Sequence, residues 1–171
     1  MRLAYADPPY PGQARKHYAH DPRCAEVDHV ALVQQLRKYD GWALSTSSTA
    51  LWHVQNCCVA AGYQLWPHDP NGVRVAAWVK PFASFKRGVN PAYAWEPILF
   101  VSCRKRDRSE LTVRDWISAN ITLKKGLSGV KPDVVAHAIF NLIGARATDE
   151  FHDLFPGSGA VLRAWEQWRL K

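Results

Sequence analysis

Apolar residues fall in two patterns that take turns along the chain: short continuous runs, and longer runs with an apolar residue at every third or fourth position. Runs of the first kind read as buried strands: RLAYAD (2–7), WALSTSS (42–48), VRVAAWVK (73–80), PILFVSC (97–103) and EFHDLF (150–155). Runs of the second kind predict helices. One follows Asp28, a good capping residue, and carries Val30, Leu32, Val33 and Leu36 before Gly41 stops it. A second spans 49–61, with Leu51, Val54, Cys58 and Val59 on its apolar side and Gly62 behind it. A third lies in KPDVVAHAIFNLIGA (131–145), with Pro132 near its start, where the missing N–H costs least. A fourth is AVLRAWEQWRL (160–170). Strands alternating with helices predict an α/β fold, a mostly parallel sheet with helices on both faces. In such sheets ligands gather beyond the carboxyl ends of the strands, where Asp7 and the 156–159 turn both fall.

The stretches between these elements are polar and broken by Pro and Gly. Pro8, Pro9, Pro11 and Gly12 open a long loop that carries Arg15, Lys16, His17, His20 and Arg23. Residues 81–96 (PFASFKRGVNPAYAWE) mix rings with Lys86 and Arg87, and RKRDR (104–108) opens a mixed stretch to Gly129. A length of 171 residues fits a single domain, with room for a target-recognition insert around 81–130. No apolar run approaches 18 residues, so no membrane span is expected. No secretory leader is visible, and none of Cys24, Cys57, Cys58 and Cys103 forms a C-x-x-C pair. Reduced, buried thiols in a cytoplasmic protein are the expectation. His17, His20 and His29 lack a companion acid at ligand spacing, so no metal site is expected.

Charge and aromatic content then change the picture. A formal net charge of +7 favours a polyanionic partner, chiefly nucleic acid. Eight tryptophans exceed what a small core needs and suit a protein that stacks on flat ligands.

Two motifs carry chemistry. Asp7-Pro8-Pro9-Tyr10 is a specified tetrapeptide that chance places in about one chain of this length in a thousand. The exocyclic amine of adenine or cytosine is a poor nucleophile because its lone pair is delocalised into the ring. The Asp7 carboxylate and the Pro8 carbonyl, aimed at its hydrogens, would draw that pair back onto nitrogen. The two prolines stiffen the loop that aims them. Tyr10 offers a face for the base, worth about 1–3 kcal/mol. The second motif is the turn in DLFPGSGAV (153–161). Gly157 and Gly159 let the backbone approach a ligand, and the helix N-terminus behind them can receive a carboxylate. The turn matches neither phosphate-loop pattern.

DPPY followed much later by F-x-G-x-G resembles the amino-group DNA methyltransferases that use S-adenosylmethionine, in the permuted order called the beta group. It is also similar to the MT-A70-like enzymes, which carry DPPW. YAWEPILFV resembles the strand after the catalytic region, and GVKPDVVAHAIFNLI resembles the Lys-Pro helix start before the cofactor strand.

The resemblance implies a minimal, circularly permuted, Rossmann-like methyltransferase fold. It also implies an enzyme that methylates N6 of adenine in DNA, with the base extruded from the duplex. Asp7, Pro8, Pro9 and Tyr10 would hold the base. Asp7, Lys131, Pro132, Asp153, Phe155, Gly157, Ser158 and Gly159 would line the cofactor site, with Asp153 facing its ammonium. Lys86, Arg87, Trp95, Arg104, Lys105, Arg106, Arg108, Lys124 and Lys125 would meet nucleic acid. N4 of cytosine, an RNA adenine, and a degenerate member that only binds nucleic acid are the alternatives. The common form continues past the glycine turn and its helix to a strand whose terminal acid holds the cofactor ribose. No such strand follows here, so either other residues, such as 81–96, hold it, or cofactor binding is weak, or a partner chain supplies the contact, and a homodimer across the open sheet edge or face is expected. The resemblance further implies a bacterial or phage source.

Overall fold

The alternation resolves into six strands and four helices among residues 1–12, 26–65, 72–82, 88–122 and 130–171, which the computed structural model describes. In chain order these are β1 (Arg2–Ala6), α1 (His29–Leu36), β2 (Gly41–Ser45), a 3-10 turn (Ser48–Ala50) leading into α2 (Leu51–Ala60), β3 (Arg74–Val79), β4 (Trp95–Val101), β5 (Trp116–Ser118), α3 (Asp133–Leu142), β6 (Glu150–Asp153) and α4 (Ala160–Trp168). Asp28 caps α1 by accepting the Ala31 N–H at 3.0 Å. Pro132 stands at the N-cap of α3.

The strands form one sheet in the order β5-β3-β4-β2-β1-β6. β1 runs parallel to both β2 and β6, and β3 runs parallel to β5. β4 runs antiparallel to its neighbours β2 and β3. Five strands therefore end on one rim of the sheet, and β4 begins there. The outermost strands are β5 and β6.

β1 and β6, far apart in sequence, are neighbours. Leu3 pairs with Phe151 and Tyr5 with Asp153, and the ladder extends past β6 through the Leu154 N–H, which donates to the Tyr5 carbonyl at 2.9 Å. This register places the exit of β1, and with it Asp7, beside the exit of β6 and its glycine turn.

Two apolar clusters hold the sheet between its helices. One joins Leu3, Tyr5, Ile98, Phe100 and Trp78 to Val135, Ile139 and Phe140 of α3 and to Val161 and Trp165 of α4. The other joins Ala4, Trp42, Leu44 and Leu99 to Leu32, Val33 and Leu36 of α1 and to Val54 and Cys58 of α2. Alternate residues of β1 and β2 go to opposite clusters, as the period of two requires. Helices thus cover both faces, as expected. Cys57 and Cys58 are buried thiols. No described helix is long and apolar enough to cross a membrane.

Two elements differ from the sequence reading. β4 starts at Trp95 rather than 97 and takes Pro97 inside it. The strand tolerates Pro97 because it faces β2 just past that strand's end at Ser45: its carbonyl accepts the Thr46 N–H at 3.1 Å, and its missing donor falls beyond the ladder. β5 lies in what read as a mixed stretch, since only Ile117 of its three residues is buried.

Candidate functional site

Pro8 and Pro9 cannot donate to a sheet ladder, so β1 ends at Ala6 and the chain turns out over the rim. Asp7 is the first residue past the strand. Its Oδ2 lies 3.0 Å from Nζ of Lys131, two residues before α3. Three residues on, the Tyr10 hydroxyl donates a hydrogen bond to Oε1 of Glu96, the second residue of β4. The loop is therefore held at both ends.

Glu96 is the hub. Besides Tyr10, its Oε1 accepts from Lys131 Nζ at 2.6 Å, and its Oε2 accepts from Lys80 Nζ at 2.5 Å. Both ammonium groups stand over the ring of Trp78, Lys80 at 4.6 Å and Lys131 at 5.2 Å from the centroid. The Trp78 indole N–H is fixed by the Ala119 carbonyl at 2.8 Å. Beneath Asp7, the Tyr5 and Ser45 hydroxyls are 2.8 Å apart in full burial. Two carboxylates and two ammonium groups thus meet with matched charge, the condition under which such groups tolerate burial.

Burial raises the Glu96 carboxyl, but Lys131 and Lys80 outweigh it and bring it down to about 2. Burial likewise pulls Lys131 down, and Asp7, Tyr5, Tyr10 and Glu96 together hold it well above its ordinary value. Glu96 is therefore a carboxylate and Lys131 an ammonium at neutral pH. Asp7 is raised, chiefly by burial, with Lys131 opposing and Glu96 adding to the rise. Burial drives the Tyr10 phenol well up, so it acts as a donor.

Across the β1–β6 ladder, Asp153 ends β6. Its Oδ1 accepts the Phe155 N–H at 3.1 Å, and among the described residues it has no cationic partner. Burial lifts its carboxyl to about 6, against the pull of the Phe155 N–H and with a further push from Asp7. After Phe155 the chain turns through Gly157 (φ +46°) and Gly159 (φ +69°), both in the left-handed region. Gly159 is the N-cap of α4, and a Cβ there would meet the Arg163 guanidinium at 3.2 Å. An unpaired carboxylate beside a helix N-terminus fits a ligand carrying an ammonium and a carboxylate on one carbon.

Of the cofactor-lining candidates, Asp7, Lys131, Asp153, Phe155, Gly157, Ser158 and Gly159 flank the exits of β1 and β6, with Pro132 at the start of α3. The candidates for nucleic-acid contact scatter. Trp95 starts β4 beside Glu96, but strand alternation sends its side chain to the other face of the sheet. Arg104 lies at the opposite rim and pairs with the buried Asp149 at 2.6 Å, while also donating to the Gly144 carbonyl. The amino group of Met1 shares that Asp149 at 2.9 Å. Arg106 donates to the Asn141 carbonyl at the end of α3. These guanidinium groups are engaged within the fold and are not brought to the cluster. Lys105 and Arg108 are exposed. Lys86, Arg87, Lys124 and Lys125 lie outside the described residues, as do His17, His20 and Cys24.

Sequence reasoning does not single out Glu96 or Lys80 as site residues. The available signal is local: a Glu and a Lys where two otherwise apolar strands meet the rim.

No protein-family model matches the sequence, and no curated protein matches it. Solved structures do. The M1.HpyAVI–SAM complex superposes with a TM-score of 0.63 at 15% identity, covering 99% of this chain and 78% of the other. A second crystal structure of M1.HpyAVI gives 0.59 at 14% identity, covering 99% and 76%. At such identity the likeness speaks for architecture, and the architecture is the Rossmann-like methyltransferase fold.

Proposed function

We propose that this protein transfers a methyl group from S-adenosylmethionine to the N6 amine of adenine in DNA. One observation carries the reading: the β1–β6 ladder sets Asp7-Pro8-Pro9-Tyr10 beside the Phe155–Gly159 turn, so that a base site and a site for an amino-acid moiety share a rim. The M1.HpyAVI–SAM complex, which shares the fold, supports the choice of cofactor. The order of the two motifs supports the permuted, DPPY-type reading, and the acid at the first motif position supports adenine over cytosine through the family resemblance.

The cofactor supplies an electrophilic methyl group on a sulfonium. This chain's residues do the rest. Asp153 and the N-terminus of α4 hold the ammonium and carboxylate of the methionine end. Lys131 engages Oδ2 of Asp7 and leaves Oδ1 for a hydrogen of the target amine. The Pro8 carbonyl accepts the other. The Tyr10 ring, tethered through its hydroxyl to Glu96, gives the base a fixed face. Catalysis is then chiefly positioning, with the lone pair turned toward the methyl group.

The test is nucleoside mass spectrometry of DNA from cells expressing the wild type or Asp7→Ala. N6-methyladenine with the wild type alone is the expected result. N4-methylcytosine would move the reading to cytosine, methylated RNA alone would move it to RNA, and no methylated nucleoside from a wild type that binds no cofactor would overturn it.

A further inference from the structure

Among the described residues, the sheet has one area that no helix covers. Ala76, Trp78 and Ile117 point into the cluster under α3, so Ala77, Val79, Trp116 and Ser118 point to the other side. Trp95 and Pro97 join them from β4. Neither apolar cluster includes Ala77, Val79, Trp95 or Trp116. The register sets Trp95–Val79–Ser118 on this face at the rim and Ala77–Trp116 behind it, while Pro97, next to Ala77, is buried. Trp116 is 48% exposed, and Trp95 and Val79 are each 38% exposed.

Two large rings therefore stand at opposite corners of a floor of small residues. They are two strand spacings apart across the sheet and two residues apart along it, about 12 Å between Cα atoms. That is the span of three or four stacked nucleotides at ~3.4 Å each. The Arg114 guanidinium lies 5.4 Å over the Trp116 ring, adding positive charge to the π face. Phe82 and Tyr93, on the loop between β3 and β4, are each 56% exposed. Flat rings, a guanidinium and a chain charge of +7 complement a polyanion with exposed bases better than an apolar protein face.

The face also joins the cluster. Val79 and Trp95 pair across the ladder, and the next residue of each strand is Lys80 and Glu96. A strand with one base in the cluster has only to cross the rim to reach the two rings.

We infer that this uncovered face is a stacking platform for the unpaired nucleotides flanking the target, so that the protein takes single-stranded nucleic acid in preference to a closed duplex. The inference names the form of the partner and rests on the methyltransferase reading only for what happens at the rim. The experiment measures binding alone. Fluorescein-labelled 12-mer single-stranded DNA and the same sequence as a duplex are titrated by anisotropy, without cofactor, against the wild type, Trp95→Ala, Trp116→Ala, the two Trp→Phe variants and Trp52→Ala. Trp52 is an exposed ring on α2, outside the two rows of this face. The expected result is tighter binding of the single strand. Each Trp→Ala change on the platform should weaken that binding at least about fivefold. The Phe variants should retain most of it, and Trp52→Ala should leave it unchanged. Equal single-strand affinity in all variants overturns the platform, as does preference for the duplex. Sedimentation showing a wild-type dimer that the Trp→Ala variants dissolve overturns it in favour of a protein interface. Calorimetry with S-adenosylmethionine is run beside it: loss of cofactor binding in the wild type would sink the methyltransferase reading and leave the platform standing.

Discussion

Lys131 and Glu96 form an ion pair of 2.6 Å in which both side chains are almost wholly buried. Burying a charge is costly unless its partner is fixed. Here the pair does more than satisfy itself, since Lys131 continues to Asp7 and Glu96 to Tyr10 and Lys80. The two ends of the DPPY loop are thereby tied to one rigid object.

Glu96→Ala should remove the carboxylate that, alone among the described residues, touches both ammonium groups. The folded protein should lose about 3–5 kcal/mol in urea unfolding, because Lys80 and Lys131 then lie buried with one carboxylate between them. Glu96 also sets an acid limit. Its carboxyl is depressed to about 2 in the folded state, below its unfolded value, so its contribution is whole at neutral pH and is lost as pH falls toward 2. The acid limb of the stability curve should flatten in the variant.

Asp153 predicts the opposite sign. Its carboxyl is raised to about 6 with no cation beside it, so the folded state holds the proton more tightly than the unfolded one. Stability should fall as pH rises from about 4 to about 6, and Asp153→Asn should recover at most about 3 kcal/mol at pH 7.5 and little at pH 4. A bound ammonium favours the carboxylate. S-adenosylmethionine affinity, followed by calorimetry, should therefore rise between pH 5.5 and 7.5 in the wild type. In Asp153→Asn it should be weaker and flat over that window.

Gly41 opens β2 against the start of the turn after β4. A Cβ at this position would lie 2.8 Å from both N and Cβ of Cys103. Backbone cannot yield as a side-chain tip can, so Gly41→Ala should cost about 1–3 kcal/mol by thermal or urea unfolding. Cofactor affinity should hold, because Gly41 begins its strand at the rim opposite Asp7.

Much of this was legible in the residues. Continuous apolar runs gave β1, β2, β3 and β6, and the three-to-four spacing gave all four helices, because burial on both faces or on one stripe leaves a pattern that local reading detects. The DPPY loop and the glycine turn stood out as candidates, and their meeting was a topological expectation that the β1–β6 ladder meets. Glu96 was visible only as part of YAWEPILFV. A buried charge is recognisable by its partners, and Lys80, Lys131 and Tyr10 come from three other segments. Arg104 read as a nucleic-acid contact for the same reason: its partner, Asp149, is 45 positions away. β5 was hidden because three residues with one buried side chain carry no period.

β4, alone in running against its neighbours, divides the molecule's labour between its two ends. It delivers a carboxylate to the rim of the candidate site at its second residue and then carries the chain off to the far end, where Arg104, Asp149 and the close approach of Gly41 to Cys103 clasp the structure shut. The described connections 37–40 and 143–149 turn back at that far end, at the rim opposite Asp7. They are where loops can lengthen, fusion partners attach or new regulation arise with the candidate site left in place.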